Sequence, residues 1–261
     1  MALICMQHLP QSVKVNLPLN IIIPEPGEMQ GVSIKERTVL YLLHGLSDDA
    51  SAWQRFSAIE TYARRYGLVV VMPSVGRSFY LDQPNGQRYF TYLVEELPHY
   101  LEEVFGIVPV RDRTLIAGLS MGGYGAIKAA LLHPELYFAA ASFSGVLSLA
   151  IMASQPDHPD VKEFEALFGD LSRETLSAHD PVVWLQKAAG RLEDLPRLYA
   201  SCGIDDEIYP LTVMFREACK KWKVPLEYHE APGKHDWYFW DAEIKRFLAS
   251  VLVPLKVEKL T

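Results

Sequence analysis

The chain has 261 residues, 49% hydrophobic and 22% charged, with a formal net charge of −7. These proportions belong to a globular chain able to bury a large core, and they exclude the disordered, collagen-like and coiled-coil classes. No segment concentrates Lys and Arg, so neither a nucleic acid nor an anionic membrane is an expected partner.

The opening "MALICMQHLPQSVKVNLPLN" has no basic region ahead of a long apolar run, and no stretch reaches the length that spans a bilayer. The expected location is cytoplasmic. Cys5, Cys202 and Cys219 form no CxxC pair and no even-numbered framework, which fits a reducing compartment and reads as small buried hydrophobes.

Within the amino-terminal part, "VKVNLPLNIIIP" alternates as antiparallel strands do. Six short apolar runs follow, "TVLYLLHG", "LVVVMPS", "RTLIAGLS", "YFAAASFSG", "PRLYASCG" and "LEYHEAPG", each closed by Gly or Ser. Continuous apolar runs of this length are the mark of strands buried on both faces of a parallel sheet. Helical spacing fills the intervals: "SAWQRFSAIETYARRYG", "YFTYLVEELPHYLEEVFG", "GGYGAIKAALLHPE", "LTVMFREACKKWK" and "WYFWDAEIKRFLASVLV". The pattern predicts one α/β domain over residues 1–261, a mostly parallel sheet covered by helices on both faces. Residues 148–195 interrupt it with "HPDVKEFEALFG" and "HDPVVWLQKAAG", an expected helical, cap-like excursion over one end of the sheet.

Gly118-Leu119-Ser120-Met121-Gly122 is a G-x-S-x-G pentapeptide set between a predicted strand and a predicted helix, the context of a nucleophile elbow. The glycines leave room for a strained turn that lifts the serine hydroxyl above the sheet. A serine needs a base and an orienting acid. "LYASCGIDDEIYP" ends one strand with two adjacent candidates, Asp205 and Asp206, and "YHEAPGKHDWYFW" ends the next with His235. Other histidines lack such positions: His133 and His158 abut prolines, His229 lies along a strand, and His44 suits a backbone-shaping role. An oxyanion hole needs two backbone donors. The N–H of Met121, just after the serine, and the N–H of Leu46, after His44-Gly45, are the expected pair.

"YLLHGLSDDASAW", "VVVMPSVGRSFYLD", "TLIAGLSMGGYGAIKAALLHPELYFAAASFSG", "CGIDDEIY" and "HDWYFWD" together resemble the esterase family that includes esterase D, S-formylglutathione hydrolases, bacterial tributyrin esterases and acetyl- or feruloyl-releasing carbohydrate esterases. The resemblance covers nearly the whole chain and implies an α/β-hydrolase fold and a cofactor-free, metal-free serine hydrolase. It makes Ser120, Asp206 and His235 the counterparts of the family's catalytic triad, the acid standing three residues after Gly203. Glu207, where the family usually has an apolar residue, makes the acid's surroundings more polar.

The implied reaction is hydrolysis of short-chain acyl esters through an acyl-enzyme. The alternatives are an S-formylglutathione-type thioesterase and an acyltransferase to a sugar hydroxyl. The partner is then a small-molecule ester, and the sequence leaves self-association into a homo-oligomer open. Trp53 and Trp237 are the candidate substrate-contacting aromatics, and Asp205 is expected to face solvent or cap the helix near Pro210.

Overall fold

The computed structural model describes residues 1–29, 31–84, 86–150 and 159–255. His158 and the 151–158 part of the excursion lie outside them. The six apolar runs fold as β3 (Val39–Leu43), β4 (Val69–Pro73), β5 (Thr114–Leu119), β6 (Ala139–Phe143), β7 (Arg197–Gly203) and β8 (Leu226–Ala231), all parallel to one another. The antiparallel pair at the start is β1 (Ala2–His8) with β2 (Leu17–Ile23). It therefore begins earlier than the expected alternation. β1 is an edge strand with Leu3 and Cys5 exposed, so its apolar residues do not sort to one face, and Cys5 is not the buried hydrophobe expected of it. The strand order is β1-β2-β4-β3-β5-β6-β7-β8.

Buried strands divide their side chains between two cores, because successive residues point to opposite faces. Val39, Tyr41 and Leu43 of β3 join one core, and Leu40 and Leu42 join the other. The first core is covered by α3 (Tyr89–Thr91), α4 (Leu97–Phe105), α5 (Met121–Leu132), α8 (Pro181–Ala188) and α9 (Tyr209–Trp222). The second is covered by α1 (Ala52–Phe56), α2 (Ile59–Tyr66) and α10 (Trp237–Val251).

Two predicted helices differ from expectation. The run from Ser51 breaks between α1 and α2 because Ala58 N–H is taken by Asp241 Oδ1 at 2.8 Å, from α10. The run from Tyr89 passes through a π turn at Tyr92–Glu96 before α4. Pro98 lacks an N–H and would crowd the carbonyl four residues back, a conflict that a widened turn relieves. The excursion contributes α6 (Val161–Phe168), α7 (Arg173–Ser177) and α8. Among the described residues no helix is long and apolar enough to cross a membrane.

Candidate active site

Parallel register carries the loops that leave the sheet's carboxyl edge into one place. Leu43 lies opposite Gly118, which sets His44–Leu46 beside Ser120. Gly203 lies opposite Ala231, which sets Asp205–Asp206 beside Gly233–His235.

Ser120 itself has φ 51° and ψ −118°, a strained conformation for a residue bearing a side chain. The flanking glycines make it attainable. A Cβ on Gly118 would stand 2.4 Å from the Gly122 carbonyl, and one on Gly122 would stand 2.5 Å from the Leu43 carbonyl oxygen. Ser120 N–H donates to Phe143 O at 3.0 Å, anchoring the turn to β6. The Met121 N–H, first in α5, has no acceptor within the helix. Its free donor adds to the positive end of the helix dipole.

Asp206, not Asp205, meets the imidazole. His235 Nδ1 lies 3.1 Å and 3.0 Å from the two Asp206 carboxylate oxygens. The Asp206 side chain is fully buried, whereas His235 keeps 26% of its side chain exposed. Burial alone would raise the Asp206 pKa. Hydrogen bonds from His235, the Ile208 N–H and Ser144, with the charge of His235, outweigh it and hold the carboxyl below its ordinary value. The two loops are stitched together by Ile204 N–H to Ala231 O and Asp205 N–H to Gly233 O, at 3.0 and 3.1 Å. Asp205 and Glu207 are exposed. The helix near Pro210 has Ile208 at its cap with no side-chain bond, so Asp205 faces solvent and caps nothing. Among the described residues the Ser120 hydroxyl makes no hydrogen bond, as is common before a substrate draws nucleophile and base together.

The "HDWYFWD" segment shares out several tasks. Asp236 caps α10 by accepting from Phe239 N–H at 3.1 Å, Trp240 packs perpendicular to the His235 ring with 5.0 Å between ring centres, and Asp241 holds the α1–α2 break. Trp237 is half-buried and stacks edge-on 5.1 Å from Trp53. Trp53 is only 1% exposed, and its indole N–H donates to Leu43 O at 2.9 Å. The structure therefore places Trp53 behind the loop after β3, in the core, and leaves Trp237 half-buried, 5.3 Å centre to centre from Trp240.

Leu46 is partly exposed, and its N–H donates to no group among the described residues. His44 is buried between two backbone groups. The Val75 N–H donates to its Nε2 at 3.0 Å, so Nδ1 carries the proton and donates to Gly45 O at 2.7 Å. Burial lowers the His44 pKa, consistent with a neutral ring. Ser144, at φ 46°, was not singled out by sequence. Its only signal there is the Ser-Gly that ends β6, and its bond to Asp206 appears only when β6 and β7 lie side by side.

The sequence profile of the "putative esterase" family matches residues 12–251. The chain belongs to this esterase family. An acetyl esterase from Caldicellulosiruptor saccharolyticus is 29% identical over 254 residues, covering 94% of this chain and 96% of that enzyme. The fluorophosphonate-binding serine hydrolase FphF of Staphylococcus aureus superposes with a TM-score of 0.86 at 32% identity, covering 96% of this chain and 98% of its own. The S-formylglutathione hydrolase FrmB of the same organism superposes with a TM-score of 0.84 at 32% identity, over 96% of this chain and 98% of its own. The fold is that of the α/β-hydrolases, and the esterase is a serine hydrolase of carboxylic esters.

Proposed function

We propose that the esterase hydrolyses short-chain acyl esters with Ser120 as nucleophile, His235 as base and Asp206 as orienting acid. The observation that carries this reading is the part-exposed imidazole seated on a fully buried carboxylate, at the same edge of the sheet as a serine held in a strained strand-to-helix turn. Asp206 takes Nδ1, which leaves Nε2 for the Ser120 hydroxyl. As Ser120 Oγ attacks the ester carbonyl carbon, its proton passes to Nε2, and Asp206 stabilises the resulting imidazolium. The carbonyl oxygen gains the negative charge and is received by the N–H groups of Leu46 and Met121. Collapse expels the alcohol, which takes the proton from His235. Water then repeats the sequence on the acyl-enzyme and releases the acid.

Short acyl groups are favoured by the aromatic packing beside His235, where the Trp240 ring lies 5.0 Å centre to centre from the imidazole and 5.3 Å from the half-buried Trp237. The relative named as an acetyl esterase points the same way. The test is a series of nitrophenyl esters from acetyl to octanoyl, with acetyl to butyryl turning over fastest. Rates that climb steadily with chain length would refute it. The likeness to an S-formylglutathione hydrolase supports a thioester reading of the same site. Assaying S-formylglutathione beside nitrophenyl acetate separates the two, the larger kcat/KM marking the preferred bond.

A further inference from the structure

The loop that carries Leu46 has one turn bond to Gly45 O, from Asp48 N–H at 3.3 Å, and draws most of its other support from side chains. Its successive carbonyls are each captured by a side chain. Leu43 O accepts from the Trp53 indole at 2.9 Å, His44 O from the Tyr80 hydroxyl at 3.1 Å and Gly45 O from the His44 ring at 2.7 Å. The His44 ring is in turn fixed by Val75 N–H. A trans peptide is planar, with its C=O and N–H pointing in opposite directions. Fixing Gly45 O therefore fixes the direction of the Leu46 N–H, which shares that peptide.

Tyr80 and Val75 both belong to the segment Ser74–Asp82 that leaves β4. Within it Phe79 and Tyr80 are consecutive non-glycine residues at φ 52° and 51°, a conformation that persists only where the surroundings over-determine it. The surroundings that do so are identifiable. Lys128, on the helix that begins at the nucleophile, is 6% exposed and donates from Nζ to Tyr80 O at 2.9 Å. That Nζ also lies 3.9 Å from the centre of the Phe90 ring. The Tyr80 amide donates to Ser78 Oγ at 3.2 Å. The Tyr80 ring occupies space that only a glycine at 125 leaves, since a Cβ there would stand 2.6 Å from Tyr80 Cδ2. A lysine buried this deeply is costly unless it serves a partner, and here the partner is the strained carbonyl.

We infer that Tyr80, His44 and Lys128 are positioning residues of the esterase: Ser74–Asp82 is a brace that aims the Leu46 N–H at the developing oxyanion, and Lys128 ties the brace to the nucleophile's own helix. The inference rests on the reading of Leu46 and Met121 as oxyanion donors. None of the three side chains needs to touch substrate, so the effect belongs to kcat.

The test compares Tyr80→Phe and Lys128→Met with Tyr199→Phe, a control that removes a buried hydroxyl bonded to Glu243 away from the loop. Three quantities are read with nitrophenyl acetate: kcat, KM, and the affinity for a trifluoromethyl ketone, whose adduct with Ser120 carries an oxyanion. Tyr80→Phe should lower kcat by about tenfold to a hundredfold, leave KM little changed and weaken the ketone in parallel. Lys128→Met should follow in the same direction, and Tyr199→Phe should shift only Tm. If Tyr80→Phe and Lys128→Met also shift only Tm, the brace is structural and the inference is wrong. Fluorophosphonate labelling of the parent separates the two levels. Without a label at Ser120 the triad reading and the brace fall together. With the label and unaltered kcat in the variants, the brace alone falls.

Discussion

The loops around Ser120 and the excursion between β6 and β7 sit on the same edge of the sheet, yet they are built on opposite principles. Around Ser120 the backbone leaves no slack. Added Cβ atoms at Gly118, Gly122 and Gly203 would stand 2.4, 2.5 and 2.2 Å from neighbouring backbone atoms, and four non-glycine residues there, Phe79, Tyr80, Ser120 and Ser144, take positive φ. The excursion instead caps its short helices with its own side chains, Ser172 on α7 and Asp180 on α8. A Cβ at its Gly190 would meet nothing within 4 Å. Backbone geometry around Ser120 thereby tolerates few side chains, whereas the excursion mixes an open position, Gly190, with a constrained one, Gly169 at φ 87°.

The largest effect expected from breaking the rigid side is that of Ser120→Ala. It should lower kcat for nitrophenyl acetate by roughly 10⁶-fold, as loss of a triad nucleophile does, while circular dichroism stays that of the parent. Activity within tenfold of the parent would remove Ser120 from the mechanism. Next comes the paired comparison of Asp206→Asn with Asp205→Asn. The first leaves His235 with the wrong tautomer and should cost about 10⁴ in kcat. The second alters an exposed carboxylate and should leave kcat near the parent's. The reverse order would transfer the acid's role to Asp205.

Stability separates the two regions as well. Gly118→Ala forces a Cβ into the Gly122 backbone and should cost more than about 3 kcal/mol, beyond the ordinary range for a point change. Gly190→Ala, with open space and no positive φ, should be neutral or gain about 0.5 kcal/mol by restricting the unfolded chain. Urea titration of both measures the contrast, and equal losses would show that the excursion is as tightly constrained as the elbow.

Lys128 adds a pH signature to the rigid side. Burial pushes its pKa down from 10.5 to about 7, against a partial rise from Asp82, and the nearby ionisable group on the excursion side is His179, whose own pKa is lowered by burial and by Lys128. Between pH 7 and pH 10.5 the unfolded chain then binds more protons at this position than the folded one, so the parent gains stability as pH rises through that window. The Tm of the parent minus that of Lys128→Met should therefore increase between pH 6 and pH 9, by an amount worth about 2 kcal/mol. A flat difference would mean that the folded lysine titrates as it does in water.

The same contrast explains what the sequence disclosed. The six parallel strands are legible because strands buried on both faces must be apolar throughout and are closed by residues that permit a sharp exit. The places of Ser120, just after β5, and His235, between β8 and α10, are legible because spacing from a strand end decides where a side chain emerges. β1 is illegible because an edge strand need not sort its residues. The α1–α2 break is illegible because its cause, Asp241, lies 183 residues away. Trp53 reads as a pocket wall in sequence, since nothing there reveals that its indole is spent on Leu43 O. Ser144, Tyr80 and Lys128 escape for the same reason: each acts on a loop from another element.

The smallest effect concerns the joint between the two regions. Arg77, within the brace, forms a two-pronged ion pair with Glu163 of α6, with both contacts at 2.6 Å. Phe79 places its ring edge-on to Phe164 and Phe168 of the same helix, at 6.0 and 5.3 Å. The pair is 46% and 30% exposed, so solvent screens it and its loss should cost no more than about 1 kcal/mol. The aromatic contacts keep α6 docked when the charges are removed. Arg77→Ala should therefore leave kcat for the acetyl ester close to the parent's, because the brace keeps its bonds through Tyr80 and Lys128. It should loosen the fit of α6 and raise the butyryl-to-acetyl ratio of kcat/KM by less than about fivefold, the equivalent of that 1 kcal/mol. A fall in acetyl turnover of tenfold or more would show that the excursion helps to aim the oxyanion donors, and the division between the rigid edge and the excursion would have to be redrawn at Arg77.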